Sequence, residues 1–278
     1  IITYEPSELV LTARPGTTLK EVRETLEERG QELAFEPPDY GAFFGKDSDR
    51  ATLGGTIACN LSGPRRIRAG GARDHFLGMQ AVNGRAEIFK AGGKVVKNVT
   101  GYDLCKLIAG SYGTLALLTE TTLKVLPKSE KVRTVLVSGL TDQSALSIFE
   151  KLTAGPAEPT ALAHLPTNIA KRSNVDLISE SSMSISAIRM EGPAPSVLQR
   201  TKTLLQYLQP FGHTEELHGH KSATFWKEIA DLHPFVENLN STIWRIIVPP
   251  SRSSSVTKTL SERFDISWFY DWAGGLIW

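Results

Sequence analysis

The stretch ATLGGTIACNLSGPRR, residues 51–66, is the most informative part of the sequence for the fold, because its glycines and small side chains leave much of the main chain accessible. It combines three glycines with three small residues, which are Gly54, Gly55, Gly63, Thr52, Thr56 and Ala58. Positions without a side chain let the backbone approach a bound molecule closely. Successive backbone N–H groups in such turns form concave anion sites. The stretch therefore indicates a place where main-chain amides hold a diphosphate.

A group of arginines follows, with Arg65, Arg66, Arg68 and Arg73 close together and Asp74 beside them. Two interpretations stay open. In the first, guanidinium groups, chiefly those of Arg65, Arg66 and Arg73, screen a phosphate or hold a substrate carboxylate. In the second, the segment is a glycine-rich hairpin that carries solvated arginines.

A second glycine segment, GSYGTLALLTETTLKVLP at residues 110–127, places Gly110 and Gly113 just before a predicted strand. The common nucleotide motifs fit the chain poorly. It has neither GxGxxG after a first strand nor GxxxxGK[ST], and GGKVVKN from Gly92 lacks the second glycine-lysine-hydroxyl unit. These absences argue against a nicotinamide-binding Rossmann domain and against a P-loop ATPase.

The composition is that of a globular protein without charge bias. The 278 residues carry 31 Lys+Arg against 30 Asp+Glu, a net charge of +1, and 41% of them are hydrophobic. This balance does not recruit nucleic acid or an anionic membrane surface. Apolar runs such as residues 114–118 are too short to span a bilayer, and no secretion signal is visible. We therefore expect a cytoplasmic protein with no membrane span of its own.

The chain has two cysteines, Cys59 and Cys105. They cannot supply a disulfide framework, and alone they cannot provide the four thiolates of an iron–sulfur cluster. Each is expected to be a small apolar side chain in the core. If electrons leave this chain through iron–sulfur clusters, a separate chain must supply the ligands.

Hydrophobic periodicity predicts an α+β chain with a boundary after Pro127, which gives domains 1–127 and 128–278. In the first domain, Thr18 and Glu21 form a capping box before a helix that ends at Gly30.

In the second domain, Thr141 is the predicted cap of a helix over residues 142–152. The segment TIWRIIV, residues 242–248, reads as a strand, and a serine-rich segment follows it at residues 251–261. Short strands that alternate with helices favour a sheet with helices on one side.

An ordered set of segments resembles the FAD-binding domain of the vanillyl-alcohol oxidase and p-cresol methylhydroxylase superfamily, and within it the FAD-binding subunits of bacterial glycolate oxidases. The segments are EPPDYG at 36–41, the stretch at 51–66, ARDHFLG at 72–78, GGKVVKNVTGYDL at 92–104 and GSYGTLALLTE at 110–120. The resemblance is strong over residues 1–127 and weaker beyond them. It implies a p-cresol methylhydroxylase-type FAD-binding domain followed by a ferredoxin-like α+β cap domain.

The resemblance also implies which residues contact FAD. They are Pro38, Asp39, Gly41, Thr52, Leu53, Gly54, Gly55, Thr56, Ala58, Asn60, Gly63, Arg73, Gly113, Thr114, Leu115, Ala116 and Leu117. The family usually has glycine where Ala116 stands, so a close flavin contact at this position has an additional methyl group to accommodate.

The family's fold begins upstream of Ile1 with a strand and a diphosphate loop, and its cap continues past Trp278. We therefore interpret the chain as truncated at both ends. Residues 1–278 alone are expected to bind FAD weakly or not at all, whereas the complete parent protein is expected to purify yellow.

Family chemistry implies oxidation of glycolate or a similar 2-hydroxy acid to the 2-oxo acid, with electrons passing through FAD. It also implies a complex with a paralogous flavin subunit and an iron–sulfur subunit, which would place this chain in the cytoplasm or at the inner membrane through its partners. No catalytic residue is identified, and Arg245 is the candidate for binding the substrate carboxylate. In the alternative interpretation, Arg245 lies on the solvent side of an alternating strand and has no role in binding.

The histidines have structural and functional interpretations. The spacing of His213, His218 and His220 suits a divalent metal, but no carboxylate or cysteine set completes a site, so we predict a surface loop and no metal. His75 is a conceivable point of covalent flavin attachment, although packing is favoured. His233, before Pro234, is expected to end a helix.

Two rival functions remain. In the first, the chain is a non-catalytic scaffold that kept the fold, lost flavin and docks its partners. In the second, it is an independent 2-hydroxy-acid dehydrogenase. Bound flavin and co-purifying partners distinguish the first rival from a catalytic subunit, and activity of the isolated full-length chain with an artificial acceptor tests the second.

Overall fold

A computed structural model describes residues 1–94, 101–236 and 241–278. The chain divides into two compact units, Ile1–Lys128 and Ser129–Trp278. Part of the segment at residues 92–104 that contributes to the family resemblance lies outside the described residues. Each unit has its own hydrophobic core.

The first unit contains short helices and seven strands in its described part. In chain order they are β1 (Thr3–Glu5), β2 (Val10–Ala13), α1 (Leu19–Glu27), β3 (Gln31–Glu32), α2 (Leu53–Ala58), α3 (Arg66–Ala69), α4 (Ala72–His75), β4 (Phe76–Asn83), β5 (Ile88–Gly92), α5 (Leu104–Ile108), β6 (Ala116–Lys124) and β7 (Leu126–Pro127). Five strands form an antiparallel sheet in the order β1-β2-β6-β4-β5, and β3 pairs with β7.

Helix α1 shows how the sequence builds this core. The Thr18 side chain accepts a hydrogen bond from the Glu21 N–H at 3.1 Å, as the capping-box pattern predicts. Leu19, Val22 and Leu26 share one face and are fully buried. Removing a side chain of this size from water contributes about 1.5–3 kcal/mol.

The second unit begins at β8 (Lys131–Ser138). It continues with α6 (Asp142–Ala154), β9 (Ala161–Leu165), α7 (Thr167–Ala170), α8 (Asp176–Ser179), β10 (Ile185–Gly192), α9 (Ala194–Leu208), β11 (Thr214–His218), α10 (Gly219–Ala230), β12 (Ile246–Ile247), α11 (Ser253–Ser261), β13 (Tyr270–Asp271) and β14 (Leu276–Ile277). Its sheet has the order β11-β8-β10-β9-β13-β14-β12, and all its pairs are antiparallel.

The first four strands of this unit have the ferredoxin-like arrangement. The chain runs β8-α6-β9-β10-α9-β11 through them, apart from the short α7 and α8, and they stand in the spatial order fourth, first, third, second. Strands β13, β14 and β12 extend the sheet beyond β9. The α+β architecture predicted from the sequence is therefore confirmed.

One strand prediction in the second unit is too long. Only Ile246–Ile247 of the predicted strand 242–248 pairs with a neighbour, and Pro249 and Pro250 follow it closely. Its partner β14 is itself only two residues long, so the ladder covers no more of the segment. The serine-rich segment contains α11, whose Ser253 hydroxyl is buried and donates to the Gly274 carbonyl.

No described helix combines the length and the apolar character required to cross a bilayer.

Candidate functional site

The first unit contains an open cavity of about 580 Å³ beside α2. Its walls come from the loop between Pro38 and Thr52 and from one side of α2. The lining residues are Pro38, Asp39, Tyr40, Gly41, Phe44, Lys46, Arg50, Ala51, Thr52, Gly55, Thr56, Cys59 and Leu61. The cavity thus brings together six residues that the family resemblance assigns to FAD, namely Pro38, Asp39, Gly41, Thr52, Gly55 and Thr56.

Helix α2 presents one side to this cavity and the other to the core. The Thr52 hydroxyl accepts a hydrogen bond from the Gly55 N–H at 3.2 Å and caps the helix. Leu53 and Ile57 are fully buried in the core, so the Leu53 side chain does not reach the cavity. Gly55 is exposed toward the cavity, and a Cβ added there would meet only the Thr52 Oγ1, at 3.1 Å.

Two other glycines of the stretch serve packing within the protein. A Cβ added at Gly54 would collide with Pro15, and one added at Gly63 would collide with the backbone of Glu36. The close approach that these positions permit is therefore between two parts of this chain. Neither glycine lines the cavity.

The amides at the start of α2 are already bonded within the protein. The Leu53 N–H donates to the Thr17 carbonyl at 2.9 Å, and the Gly54 N–H donates to the Pro15 carbonyl at 2.8 Å. The Thr56 N–H donates to Thr52, and the Gly63 N–H donates to Phe35 at 2.9 Å. This part of the stretch therefore does not present the row of open amides that its glycines suggested.

The loop on the other side of the cavity is shaped by Asp39, which is 5% exposed. Its Oδ1 accepts from the Gly41 N–H at 2.9 Å, and its Oδ2 accepts from the Asp49 N–H at 2.6 Å. A Cβ at Gly41 would lie 2.5 Å from the Asp47 carbonyl oxygen, so glycine is needed for the loop to close on itself. Asp39 and Gly41 thus hold the loop in the form that leaves the cavity open.

The second glycine segment meets the end of α2. The Gly110 N–H donates to the Ile57 carbonyl at 3.1 Å, and the Tyr112 N–H donates to the Ala58 carbonyl at 2.8 Å. Gly113 has a φ of +74°, and no atom lies within 4 Å of where its Cβ would stand. The two stretches that sequence separates by some fifty residues therefore adjoin in space, although the second does not line the cavity.

The remaining residues of the second segment alternate between surface and core. Thr114 and Leu115 are exposed, and the Leu117 side chain is 71% exposed. Ala116 belongs to the core of the unit, so the methyl group that replaces the family's glycine packs inward.

Asn60 and Arg73 connect neighbouring turns. Asn60 has a φ of +49°, and its Oδ1 accepts from the Arg73 N–H at 3.0 Å. The Arg73 side chain is on the surface, away from the cavity.

Arg65 is not the solvated arginine of the hairpin interpretation. Its side chain is 12% exposed and forms ion pairs with Glu32 and, at 3.4 Å, with Glu36. With both carboxylates beside it, its charge is compensated within the protein, and it does not line the cavity.

The residues that line the cavity fit a flavin dinucleotide. Tyr40 and Phe44 offer aromatic surface for a planar ring, and Lys46 and Arg50 offer positive charge for an anionic bridge. The sequence did not lead us to predict these four residues at the site, nor Cys59, which also lines the cavity. The available signal was the concentration of aromatic and cationic residues between the EPPDYG segment and residue 51. Burial raises the pKa of the Cys59 thiol, so the cavity contains a neutral sulfur.

The histidines take structural positions. His75 is buried, and its ring nitrogens lie 2.9 Å from the Ala69 carbonyl and 3.3 Å from that of Lys124. Burial is the main cause that lowers its pKa. Among the residues that the structure describes, no group of three or more His, Cys, Asp or Glu side chains could hold a metal. His213 and His218 each contact a nearby glutamate on the surface.

Arg245 is exposed on the second unit. Its guanidinium carbon lies 5.1 Å from the Trp272 ring centroid and 5.9 Å from that of Trp278. The two indoles are thus close enough for cation–π contact, while the Arg245 side chain remains exposed.

The second unit has a buried polar network centred on Asp142. Its Oδ1 lies 3.1 Å from His164 Nε2, and its Oδ2 accepts from Tyr270 at 2.6 Å and from Trp268 at 2.9 Å. Burial acts to raise the pKa of Asp142, but the hydrogen bonds from His164, Tyr270 and Trp268 outweigh it, so this pKa lies below its ordinary value of 3.8. Burial, followed by the Asp142 carboxylate, raises the pKa of Tyr270.

Comparison with known proteins gives the chain's relatives. A family described as "FAD binding domain" matches residues 1–92. The chain is 33% identical over its full length to glycolate oxidase subunit GlcE of Escherichia coli (strain K12), of which it covers 67%. It is 30% identical over 71% of its length to glycolate oxidase subunit GlcD of Bacillus subtilis (strain 168), of which it covers 41%.

A solved structure supports the fold. The structure of p-cresol methylhydroxylase with substrate bound matches all of this chain with a TM-score of 0.69 at 12% identity, and the chain covers 62% of it. The p-cresol methylhydroxylase-type architecture that the sequence predicted is therefore confirmed.

Proposed function

Because this chain belongs to the family of glycolate oxidase subunit GlcE, whose members are FAD-linked oxidoreductases, we propose that its first unit holds FAD for the oxidation of a 2-hydroxy acid. The supporting observation is the cavity beside α2, which gathers six residues assigned to FAD by resemblance and adds two aromatic rings and two cations. The substrate is glycolate or a similar small 2-hydroxy acid.

Flavin chemistry supplies an acceptor for the hydride equivalent removed from C2 of the acid. The protein supplies the position and the surroundings of that acceptor. Gly55 and Thr56 form one wall of the cavity, and Asp39 holds the opposite loop in place through the Gly41 and Asp49 amides. Tyr40 and Phe44 would offer aromatic contact to the planar ring of a bound flavin.

We infer that Arg245 binds the substrate carboxylate. A guanidinium offers parallel N–H donors that match a carboxylate, and cation–π contact with Trp272 and Trp278 restricts where this one lies. Replacing Arg245 by lysine keeps the charge but loses the paired donors. The substitution is expected to raise the KM for glycolate by about tenfold with little change in the amount of bound FAD. An unchanged KM would contradict the assignment.

Partner subunits complete the proposed enzyme. Two relatives of this chain are named as glycolate oxidase subunits, and the described residues contain no cluster of metal-ligating side chains. Electrons are proposed to leave the flavin for an iron–sulfur subunit, beside a paralogous flavin subunit. The complex is cytoplasmic or lies peripherally at the inner membrane through these partners.

The test is purification of the protein from its complete gene together with its partner subunits. We expect a flavin absorption spectrum that bleaches when glycolate is added without an electron acceptor. Partners that co-purify without flavin in this chain would contradict the proposal and favour the scaffold. A variant with valine at Gly55 is the negative control, since its side chain fills the proposed position of the cofactor.

A further inference from the structure

The cavity wall carries two cationic side chains against one acidic side chain. Three charged residues line it, which are Asp39, Lys46 and Arg50. Both oxygens of Asp39 accept main-chain hydrogen bonds within the loop. Within residues 1–94, 101–236 and 241–278, the side chains of Lys46 and Arg50 form no hydrogen bond or ion pair.

A nearby carboxylate that could have neutralised these cations is occupied elsewhere. Asp49 lies between them in the sequence, but its carboxylate lies 3.3 Å from Arg23 and 3.7 Å from Lys20 of α1. Asp47, the other acid between them, is exposed and does not line the cavity. The loop therefore directs the Asp49 carboxylate to the helix and its two bases to the cavity. A cavity wall with two cations and one carboxylate carries net positive charge, which favours an anionic ligand.

Two other candidates for phosphate binding among the described residues, the amides at the start of α2 and Arg65, are committed to internal contacts. The amides of Leu53 and Gly54 donate to main-chain carbonyls, and Arg65 is paired with two glutamates. A dinucleotide placed in this cavity carries a diphosphate whose charge needs a counterpart. Lys46 and Arg50 are the cations of the cavity wall that can provide it.

We propose that Lys46 and Arg50 bind the diphosphate of the dinucleotide that this cavity holds. The proposal rests on the proposed FAD function and deepens it, since it assigns the charge contact to the 41–52 loop and not to the arginines after residue 64. The substrate's carboxylate is the other anion that two such cations could bind, and the experiment distinguishes the two.

The experiment compares ligands with and without phosphate. The protein from its complete gene, with its partner subunits, is freed of flavin and titrated with FAD and with riboflavin by flavin fluorescence. The variants are Lys46→Gln, Arg50→Gln and the double substitution. Arg85→Gln is the matched control, because Arg85 is exposed in the turn between β4 and β5 and does not line the cavity.

Each single substitution is expected to weaken FAD binding by about tenfold and the double substitution by about a hundredfold. Riboflavin, which has no phosphate, should bind all variants within about twofold of the parent, and Arg85→Gln should change neither ligand. The dependence of FAD affinity on salt should also decrease in the double variant, because fewer charge contacts remain to be screened.

Three results would overturn the proposal. Equal FAD affinity in the parent and the double variant, or equal losses of FAD and riboflavin, would show that the cations do not contact phosphate. Unchanged FAD affinity with a weaker perturbation of the flavin spectrum by glycolate would assign the pair to the substrate carboxylate. In these cases the parent still binds FAD and the proposed function stands, whereas a parent that binds neither flavin would refute both.

Discussion

Two adjacent glycines illustrate how neighbouring positions serve different purposes. Gly54 faces inward, where Pro15 occupies the space that a Cβ would need, while Gly55 faces the cavity. In the sequence the two are equivalent members of a pair. What separates them is the helical rotation between consecutive residues, which turns one toward the core and the next toward solvent.

Replacing Gly54 by alanine is expected to lower the free energy of unfolding by about 1–3 kcal/mol, because the added methyl overlaps Pro15. Chemical denaturation measures this change. Gly16→Ala is the control, since no atom lies within 4 Å of a Cβ at Gly16. Equal stability of Gly54→Ala and the parent would contradict the packing role.

Replacing Gly55 by valine is expected to affect FAD binding and not stability. FAD affinity should fall by more than about tenfold, because the side chain enters the cavity, while the unfolding free energy changes little. Fluorescence titration with FAD and denaturation of the ligand-free protein separate the two effects. A stability loss equal to that of Gly54→Ala would show that Gly55 also serves packing.

The lowered pKa of Asp142 predicts that the stability of the protein depends on pH. Its folded pKa lies below 3.8, so the stability it contributes is fully present above its unfolded pKa and is lost as pH falls through the folded value. Asp142→Asn should therefore unfold with a weaker dependence on pH below about pH 4 than the parent. Urea denaturation between about pH 3 and pH 7 measures this, and parallel pH curves for the two proteins would contradict it.

Capping determines where helix α1 begins. Removing the Thr18 hydroxyl leaves the Glu21 N–H without its partner, so Thr18→Ala should cost about 1 kcal/mol of stability. Thr18→Ser keeps the accepting oxygen and should restore most of the loss. Identical unfolding curves for the alanine and serine variants would mean that the cap contributes nothing.

Helices with strong local signals could be predicted from the sequence, and strands that depend on distant partners could not. Thr18 and Thr141 mark helix starts through hydrogen bonds to residues three positions later, which is information contained in the local sequence. The segment at 242–248 has the alternation of a strand, but its pairing depends on β14, which lies some thirty residues away.

The candidate site was predictable only in part for the same reason. The glycine stretches and the EPPDYG segment indicated where the main chain lies close to a cofactor. The involvement of Lys46 and Arg50 depends on how the loop folds back over α2, and the engagement of the Leu53 and Gly54 amides depends on the turn at residues 15–17. Neither relation has a signature in the local sequence.

The positions of the two cysteines bear on how electrons would leave this chain in the proposed complex. Cys105 is buried in the core of the first unit, and Cys59 lines its cavity. Neither belongs to a set of ligands for a metal among the described residues.

We therefore expect that a chain with serine at both Cys59 and Cys105 assembles into a complex with the parent's iron content. Iron and acid-labile sulfide are measured on the purified complex. A loss of iron in the variant complex would show that this chain supplies cluster ligands, contrary to the proposed division of labour between subunits.

The junction between the two glycine stretches is made by main-chain atoms, with the amides of Gly110 and Tyr112 bonded to the carbonyls of Ile57 and Ala58. A bond of this kind needs no particular side chain at Ile57 or Ala58, provided the backbone keeps its course, whereas the φ of +87° at Gly110 favours glycine. Mutations can therefore accumulate at the positions of both stretches that tolerate a new side chain while this junction persists. Divergent homologues can therefore retain the same scaffold here and adjust their chemistry through the side chains that surround it.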